Sequence, residues 1–339
     1  MLRSVLTLVS VLSIVGGPVA QSRDYYFTVG YSQAHPMGMG GAFTAIEGGL
    51  SSIHYNPATF RLANIKRGFR IAGFVNPVAS ISMYSFFRED SERGLTASNW
   101  WDVARVLPKA VVLSTPTWEF ALLGQEELES RKEFHENKKL FEADNFFNHV
   151  VHTALLRIRL ADQVHIGGTL SQYTSIVNSE TMNKIGSSYG FYVIPSPKLG
   201  VGIVFMDVPA KFKNIRLEND RIEDETVNIG VAYHLLANNT ISLDVRNMSE
   251  ENRSTTREWH VGLEQGFWKH IYLRSGFYRD QRKNENHFSF GAGLVNLNFA
   301  RHGVRKFVIP VLAVNYALRL NRKDGTTTRT HFLSLNWGY

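Results

Sequence analysis

The chain has 339 residues, of which 44% are hydrophobic and 20% charged, and its mean hydropathy is −0.16. This composition favours one large all-β domain or two ordinary domains. No internal run approaches the roughly 18 apolar residues that a spanning helix needs, which excludes a helical membrane protein. The chain has no cysteine, which excludes a disulfide framework and a lipoprotein signal.

The N-terminus has the pattern of a secretory signal peptide over residues 1–20. Met1-Leu2-Arg3 is a short basic region, and Ser4 to Val15 form an apolar region. Small residues at positions 16–20 then predict cleavage after Ala20. The alternative for the same pattern is an N-terminal anchor helix.

The stretch from Met37 to Phe60 is rich in glycine and apolar residues but shows neither a helical nor a strand period. Its glycines permit tight bends with positive φ. Proline disfavours the α region at the residue before it, so Asn56-Pro57 fixes an extended or turn conformation. A solvated loop would not carry so many large apolar side chains, and the pattern therefore predicts a compact plug packed inside the remaining chain.

From Gly68 onward, apolar and polar residues alternate in short segments, and the clearest of these spans 225–236. Alternation with a period of two, broken by short turns, is typical of paired strands. We therefore predict an all-β fold, a 14-stranded antiparallel transmembrane β-barrel spanning 68–339 with an N-terminal plug inside its lumen. The predicted strands are 68–75, 78–87, 109–117, 149–160, 163–175, 187–195, 198–207, 225–236, 239–248, 256–267, 269–280, 286–299, 306–320 and 328–339.

The predicted connections are short on one side and longer and more polar on the other, as transmembrane barrels show. Short turns include 161–162, 237–238 and 300–305, whereas 176–186 and 321–327 belong to the longer set. Charge pairs at helical spacing over 117–147 predict a helical extracellular loop, either as a cap over the barrel mouth or as a solvated helix.

The inward positions of the predicted strands carry polar and charged residues, for which two interpretations remain. They form either a proton-transfer or ligand site, or a network that pairs charges and holds the plug. No catalytic motif, metal site or cofactor-binding motif is present, so we expect neither an enzyme nor a cofactor. The predicted lumen network consists of Asp244, Arg246, Glu258, His260, Glu264 and Arg274.

The last strand ends the chain on Trp337-Gly338-Tyr339, and aromatic residues at a strand end suit the interface of a membrane. The net charge of +7 favours an anionic partner. The basic residues are scattered and the signal peptide argues against nucleic acid, so no nucleic-acid partner is expected. The interpretations that remain are contact with outer-membrane lipid and lipopolysaccharide, or simply solvated loops.

The motifs Met39-Gly-Gly-Ala-Phe-Thr-Ala45 and His54-Tyr-Asn-Pro-Ala58 resemble the long-chain fatty-acid transporter (FadL) superfamily, and look closest to its PorV/PorQ branch. The chain departs from that pattern at Glu47 and at Thr59-Phe60. The resemblance implies a bacterial outer-membrane barrel with a hatch over about 21–67. The residues that it implies for the hatch and its gating are Met39, Gly40, Gly41, Phe43, Tyr55, Asn56 and Pro57.

The resemblance implies two alternative functions. In the first, the barrel is a passive channel for hydrophobic small molecules, gated by the hatch. In the second, it is an accessory barrel of type IX protein secretion that docks exported proteins. The expected partners differ accordingly, being a hydrophobic ligand or components of type IX secretion.

Overall fold

The computed structural model describes residues 34–62, 68–75, 107–125, 151–177, 180–207, 226–236, 238–246, 248, 257–267, 271–280, 285–294, 311–323 and 326–338. The predicted signal peptide, the predicted strand 78–87 and the rest of the predicted hatch (21–33 and 63–67) lie outside these residues. The helices among the described residues are short, and none is long and apolar enough to cross a membrane.

Within the described residues, fourteen antiparallel strands form one sheet in which each strand pairs with its described neighbour in sequence. Strand β1 also pairs with β14, Phe74 with Gly338 and Val75 with Trp337, so the strand order closes into a barrel. The strands are β1 (Arg70–Val75), β2 (Pro108–Ser114), β3 (Trp118–Gln125), β4 (Val151–Ala161), β5 (Val164–Val177), β6 (Glu180–Ser196), β7 (Leu199–Asp207), β8 (Thr226–Leu236), β9 (Asn239–Arg246), β10 (Glu258–Phe267), β11 (Ile271–Asp280), β12 (Glu285–Leu294), β13 (Val311–Lys323) and β14 (Thr326–Gly338).

The two faces of the sheet have inverted polarity. On β9, the apolar Ile241 and Leu243 are exposed, whereas Ser242 and Asp244 are completely buried. Successive side chains of a strand point to opposite faces, so this alternation places polar groups inside the barrel and apolar groups outside. The same arrangement recurs along β10, where exposed Trp259, Val261 and Leu263 alternate with buried Glu258, His260 and Gly262.

Residues 34–62, hereafter the N-terminal segment, lie on the inner face of this sheet. The segment comprises helix α1 (Ala34–Gly38) and the 3₁₀ turns Leu50–Ser52 and Pro57–Thr59. Helix α1 contacts β11 to β14, and the second 3₁₀ turn contacts β4 to β7. A side-chain cap starts that second turn, because the side chain of Asn56 accepts a hydrogen bond from Ala58 N and proline occupies the first helical position.

Strand β3 corrects the predicted helical loop 117–147. Thr115 and Trp118 close a tight turn through hydrogen bonds, and Trp118–Gln125 then returns as a strand. Its exposed Phe120 and Leu122 alternate with buried Ala121. The helical prediction failed here because the charge pairs at helical spacing lie further along the chain. Residues 118–125 themselves alternate between exposed and buried side chains, as a strand does. The remainder of the predicted loop, 126–147, lies outside the described residues.

The connections are less asymmetric than the sequence predicts. Strands β5 and β6 extend toward each other and leave only 178–179 between them, and β13 and β14 leave only 324–325, so the predicted long loops 176–186 and 321–327 are wrong. Strand β12 ends at Leu294 and β13 begins at Val311, and the predicted short turn 300–305 lies outside the described residues.

Candidate functional site

Strand glycines allow the backbone of the N-terminal segment to approach the sheet closely. A Cβ atom added at Gly167 would lie 2.5 Å from Ala58 N, and one at Gly262 would lie 2.6 Å from Met39 O. One added at Gly276 would overlap the backbone of Met39 and Gly40. These positions, hereafter the glycine row, are Gly167, Gly190, Gly202, Gly230, Gly262, Gly276 and Gly291 on seven strands between β5 and β12.

The segment itself turns sharply at Gly40 and Gly41, whose φ angles are +63° and +79°. Side chains rarely adopt this left-handed region, and a Cβ at Gly40 would also lie 2.7 Å from Phe277 N. The turn is closed by Gly41 N, which donates to Pro36 O at 2.9 Å. Glycine is therefore needed at both positions for the bend, and at Gly40 also for the contact with β11.

Asp244, Arg246 and His260 hold the backbone that follows this bend. One oxygen of the completely buried Asp244 carboxylate accepts hydrogen bonds from Phe43 N and Thr44 N, each at 2.8 Å. The Arg246 guanidinium donates to Gly41 O, and its charge lies 3.9 Å from Asp244. His260 Nδ1 lies 2.7 Å from the Gly40 carbonyl oxygen, which can only accept, so Nδ1 carries the proton.

The other predicted network residues pair with one another, with His260 or with His35 of helix α1. Glu264 Oε2 accepts a hydrogen bond from Arg274 Nε at 2.6 Å and lies 2.8 Å from His35 Nε2. Burial lowers the pKa of His35, with a further lowering from the Arg274 charge that Glu264 opposes. Glu258 Oε2 lies 3.5 Å from His260 Nε2. All six predicted network residues thus lie on strands β9 to β11.

Asn56 connects the two parts of the segment and fixes both to the sheet. Its side-chain nitrogen donates to Thr44 O at 3.0 Å and to Phe191 O on β6 at 3.1 Å. Its side-chain oxygen accepts from Ala58 N at 3.0 Å, so both ends of the amide are used. Pro57 follows directly and lies against Gly167 of the glycine row.

A second charged group, which the sequence does not single out, lies on β3 and β4. Arg157 donates to Ala58 O and to the Glu119 carboxylate, both at 3.0 Å. Glu119 also accepts from Leu62 N at 3.2 Å, and Glu47 pairs with Arg61 at 3.2 Å within the segment. The only available signal was the register of β3 and β4, which places Glu119 opposite Arg157.

The inner face is not uniformly polar, because two groups of strands differ in the polarity of the side chains that they bury. On β8 to β12 the buried inward side chains are largely polar or charged, and we refer to this surface as the polar wall. On β1 to β4 a cluster of buried apolar side chains packs against Leu50, Ile53 and Phe60 of the segment. This apolar wall consists of Ala72, Phe74, Ala110, Val112, Ala121, Leu123 and Leu155.

The residues that contact the apolar wall belong to a lobe closed by backbone hydrogen bonds. Gly48 N donates to Thr59 O at 3.2 Å, and Arg61 N donates to Gly48 O at 2.9 Å. The chain therefore leaves Gly48 and returns beside it at Thr59 and Arg61, and residues 48–61 are hereafter called the apolar lobe. Phe43 packs edge-on against Tyr55 at a centroid distance of 5.4 Å, joining the lobe to the first part of the segment.

The charged groups of this site contact the segment and one another. Within the described ranges, no group of three or more His, Asp or Glu side chains is placed to bind a metal ion. These charged groups therefore hold the folded backbone of the segment on the inner face of the sheet.

Comparisons with known proteins give similarity of structure only. No protein-family model and no curated protein sequence matches the chain. Among solved structures, the chain is similar to the CymD monoaromatic hydrocarbon channel, with 10% identity, a TM-score of 0.47, and coverage of 92% of this chain and 97% of that one. It is also similar to two mutants of the Rhodopseudomonas blastica porin, each with 10% identity and with coverage of 68% of this chain and 78% of that one, at TM-scores of 0.38 and 0.37.

Proposed function

We propose that the chain is an outer-membrane β-barrel of the FadL type that acts as a passive channel for hydrophobic small molecules, gated by its N-terminal segment. The observation that carries the membrane assignment is the inverted polarity of the sheet. Soluble proteins rarely expose large contiguous apolar surfaces, whereas transmembrane barrels present an apolar band to lipid and polar groups to the lumen. The predicted contact with lipid and lipopolysaccharide belongs to this outer surface.

The contacts of the N-terminal segment support its role as the hatch. The segment lies against strands around the barrel, and its backbone is fixed by buried side chains and by the glycine row. A filled lumen blocks polar solutes, which would have to leave water without finding hydrogen-bond partners. Hydrophobic solutes lack that penalty, which is why we assign them as the substrate class.

The test is the uptake of the uncharged fluorescent probe N-phenyl-1-naphthylamine by cells that express the chain. We expect the double variant Gly41→Val with Asn56→Ala to change the uptake rate, because it strains the left-handed bend and removes the amide that joins both parts of the segment. Gly73→Val is the matched control, since a Cβ at Gly73 meets nothing within 4 Å. Equal uptake by the double variant and the parent would contradict the gating role.

The glycine row favours one alternative, the PorV/PorQ-type accessory of type IX secretion. A backbone that fits this tightly against seven strands suits a lumen that stays closed while the outer loops dock exported proteins. Under this alternative, the same double variant leaves probe uptake unchanged and lowers the surface display of exported proteins. The two readouts therefore separate the two functions.

A further inference from the structure

We propose that the outer face of strands β11 to β14 binds the phosphate groups of lipopolysaccharide, through three arginines at the edge of its apolar surface. This inference rests on the outer-membrane assignment of the proposed function and does not depend on what the barrel conducts. It assigns the expected contact with lipopolysaccharide to particular strands, side chains and headgroup atoms.

Three exposed arginines lie at the same end of neighbouring strands, and we call Arg279, Arg322 and Arg329 the arginine edge. Arg279 on β11 pairs with Asn286 on β12, which pairs with Arg322 on β13. Arg322 pairs with Thr327 on β14, two residues before Arg329. Paired residues share a face of the sheet, as do residues two apart on one strand. Asn286 and Thr327, which lie between the arginines, are uncharged, so this part of the outer face is basic.

The surface next to the arginine edge is apolar, as a lipid-facing surface must be. Phe277 lies two residues before Arg279 and pairs with Phe288, and both phenylalanines are exposed. On β14, Leu333 and Leu335 follow Arg329 on the same face, because every second residue of a strand points to the same side. The arginines therefore point away from the lumen, in line with the apolar band.

The length of β14 places the arginine edge at one boundary of that band. From Arg329 to the end of β14 at Gly338 the strand advances nine residues. This is about 30 Å along the strand, since each residue of an antiparallel strand advances about 3.4 Å. A tilt of about 40° reduces this length to about 23 Å across the membrane, close to the roughly 25 Å height of the apolar band in such barrels. Arg329 thus lies at headgroup level when Gly338 lies at the opposite boundary.

The connections between strands indicate which leaflet the arginine edge faces. The longest connections between described strands are 76–107, 126–150 and 208–225, and they lie on the same side of the barrel as the hairpin of β13 and β14. On the opposite side, the connections have two or three residues except at 295–310. Long loops of transmembrane barrels are extracellular and short turns are periplasmic. The arginine edge therefore faces the outer leaflet, where the anionic lipid of a bacterial outer membrane is lipopolysaccharide.

The spacing of the arginines suits a headgroup with more than one phosphate. Arg322 and Arg329 are diagonal neighbours on adjacent strands, about 7–8 Å apart, so their long side chains reach one phosphate together. Arg279 lies two strands from Arg322, at about 10 Å, and reaches a second phosphate. A guanidinium binds phosphate through two parallel N–H donors, which makes arginine suited to this contact. The lipid A part of lipopolysaccharide carries two phosphates on one disaccharide, whereas phosphatidylglycerol carries one.

A polar aromatic pair lies between the arginine edge and the apolar band. The Tyr316 hydroxyl lies 2.7 Å from His331 Nδ1, and both side chains are half-buried on the outer face. His331 follows Arg329 by two residues on β14. Tyrosine is enriched at membrane interfaces, where an apolar ring meets polar headgroups. The outer face thus changes from charged to polar aromatic to apolar, in the order of a lipid headgroup, its acyl linkages and its acyl chains.

The test measures binding of lipid A to the purified chain in detergent, by titration followed with native mass spectrometry. Lipid A with both phosphates is compared with phosphate-free lipid A and with phosphatidylglycerol. The double variant Arg322→Gln with Arg329→Gln removes two charges from exposed side chains. Lys198→Gln is the matched control, because Lys198 is also exposed but lies in the turn between β6 and β7, on the opposite side of the barrel.

We expect the double variant to bind lipid A about tenfold or more weakly than the parent, and Lys198→Gln to change the affinity by less than about twofold. Removing both phosphates from lipid A should weaken its binding to the parent by about tenfold as well, because the arginines then lose their partners. Phosphatidylglycerol should bind the parent about fivefold or more weakly than lipid A. Arg279→Gln repeats the comparison on β11, and phosphate-free lipid A repeats it with the parent chain, so that poor folding of one variant does not leave the question open.

Equal binding of lipid A by the parent and the double variant, or an equal loss in Lys198→Gln, would overturn the inference. Binding of phosphate-free lipid A or phosphatidylglycerol as tightly as lipid A would overturn it too. If binding depends on the arginines but cells expressing the parent gain no uptake of N-phenyl-1-naphthylamine, the lipid site stands and the channel function fails. If uptake rises but binding does not depend on the arginines, the channel function stands and the inference fails. The two failures are therefore distinguishable.

Discussion

Strands β8 to β12 hold the N-terminal segment through charged side chains and direct backbone contacts. The apolar wall on β1 to β4 instead packs apolar side chains against Leu50, Ile53 and Phe60, beside the Glu119–Arg157 pair that binds Leu62 and Ala58. The two walls belong to the same closed sheet and face the same segment, yet they differ in what a displacement would cost. Hydrogen bonds to buried charges are strong and directional, while apolar contacts are weak individually and interchangeable. Moving the segment away from the polar wall would therefore leave buried polar groups without partners, whereas moving Leu50 or Ile53 away from the apolar wall would separate only apolar side chains.

The largest expected effect on stability is at Asp244, where the polar wall binds the backbone of the segment. Asp244→Ala removes the acceptor of Phe43 N and Thr44 N and leaves Arg246 without its nearby carboxylate. Removing one partner of a buried charge pair costs about 3–5 kcal/mol, so we expect a loss of this size in the free energy of unfolding in detergent. The control is Asp162→Ala, whose parent side chain is 95% exposed and which should change stability by less than about 0.5 kcal/mol. Equal effects of the two substitutions would contradict the account.

The glycine row provides the second test. Gly276→Ala forces a Cβ into the backbone of Met39 and Gly40, whereas Gly73→Ala adds one in open space. Overpacking of this kind costs about 1–3 kcal/mol. We expect Gly276→Ala to lower the melting temperature and to speed hydrogen exchange of the Gly41 amide, which donates to Pro36 O. Unchanged exchange in Gly276→Ala would show that the segment does not lie on this glycine.

The pH dependence tests the apolar lobe. Burial lowers the pKa of His54 from 6.5 to about 4, so the histidine is neutral in the folded protein. An unfolded segment takes up a proton near pH 6.5, so stability is full above this pH and is lost progressively as the pH falls toward 4. Because the side chain is partly exposed, we expect a loss of about 1–2 kcal/mol, measured as the drop in unfolding free energy between pH 7 and pH 4.5.

His54→Gln serves as the comparison, since glutamine does not titrate. We expect this variant to lose less stability than the parent over the same pH range, and the difference between the two slopes is the contribution of His54. Parallel slopes for parent and variant would contradict the assignment.

The smallest effect on stability is expected at Ile53, which packs against the apolar wall. Ile53→Val removes one methylene from the cluster against the apolar wall and should cost about 1 kcal/mol. We expect this loosening to raise the uptake of N-phenyl-1-naphthylamine by cells. Ile71→Val, on the exposed outer face of β1, is the control and should alter neither stability nor uptake. Lower uptake in Ile53→Val would argue against the proposed gating by the N-terminal segment.

The sequence predicted the elements in which local pattern and packing agree. Alternation on β8 to β11 decides which residues face inward, so Asp244 and His260 could be placed inside the barrel from period alone. The glycine-rich stretch and Asn56-Pro57 likewise predicted a folded rather than a solvated segment. The structure describes strands near thirteen of the fourteen predicted ranges, and the remaining range, 78–87, lies outside the described residues.

The rest depended on contacts between residues far apart in sequence. Strand β3 was missed because a stretch with helical charge spacing follows it and obscures its short alternation. The Glu119–Arg157 pair appears only once β3 and β4 are placed in register. In the same way, the partners of Asp244 are backbone groups about two hundred residues away, at Phe43 and Thr44, which no local period can indicate.

We propose that the barrel, with the N-terminal segment on its inner face, admits hydrophobic solutes and excludes polar ones. The most direct measurement compares the uptake of N-phenyl-1-naphthylamine with that of arabinose across the outer membrane of the same cells, with and without the chain. We expect expression of the chain to raise uptake of the hydrophobic probe and to leave arabinose uptake unchanged. An equal rise for both solutes would indicate an open pore, and no rise for either would indicate a closed barrel; both results would contradict the claim.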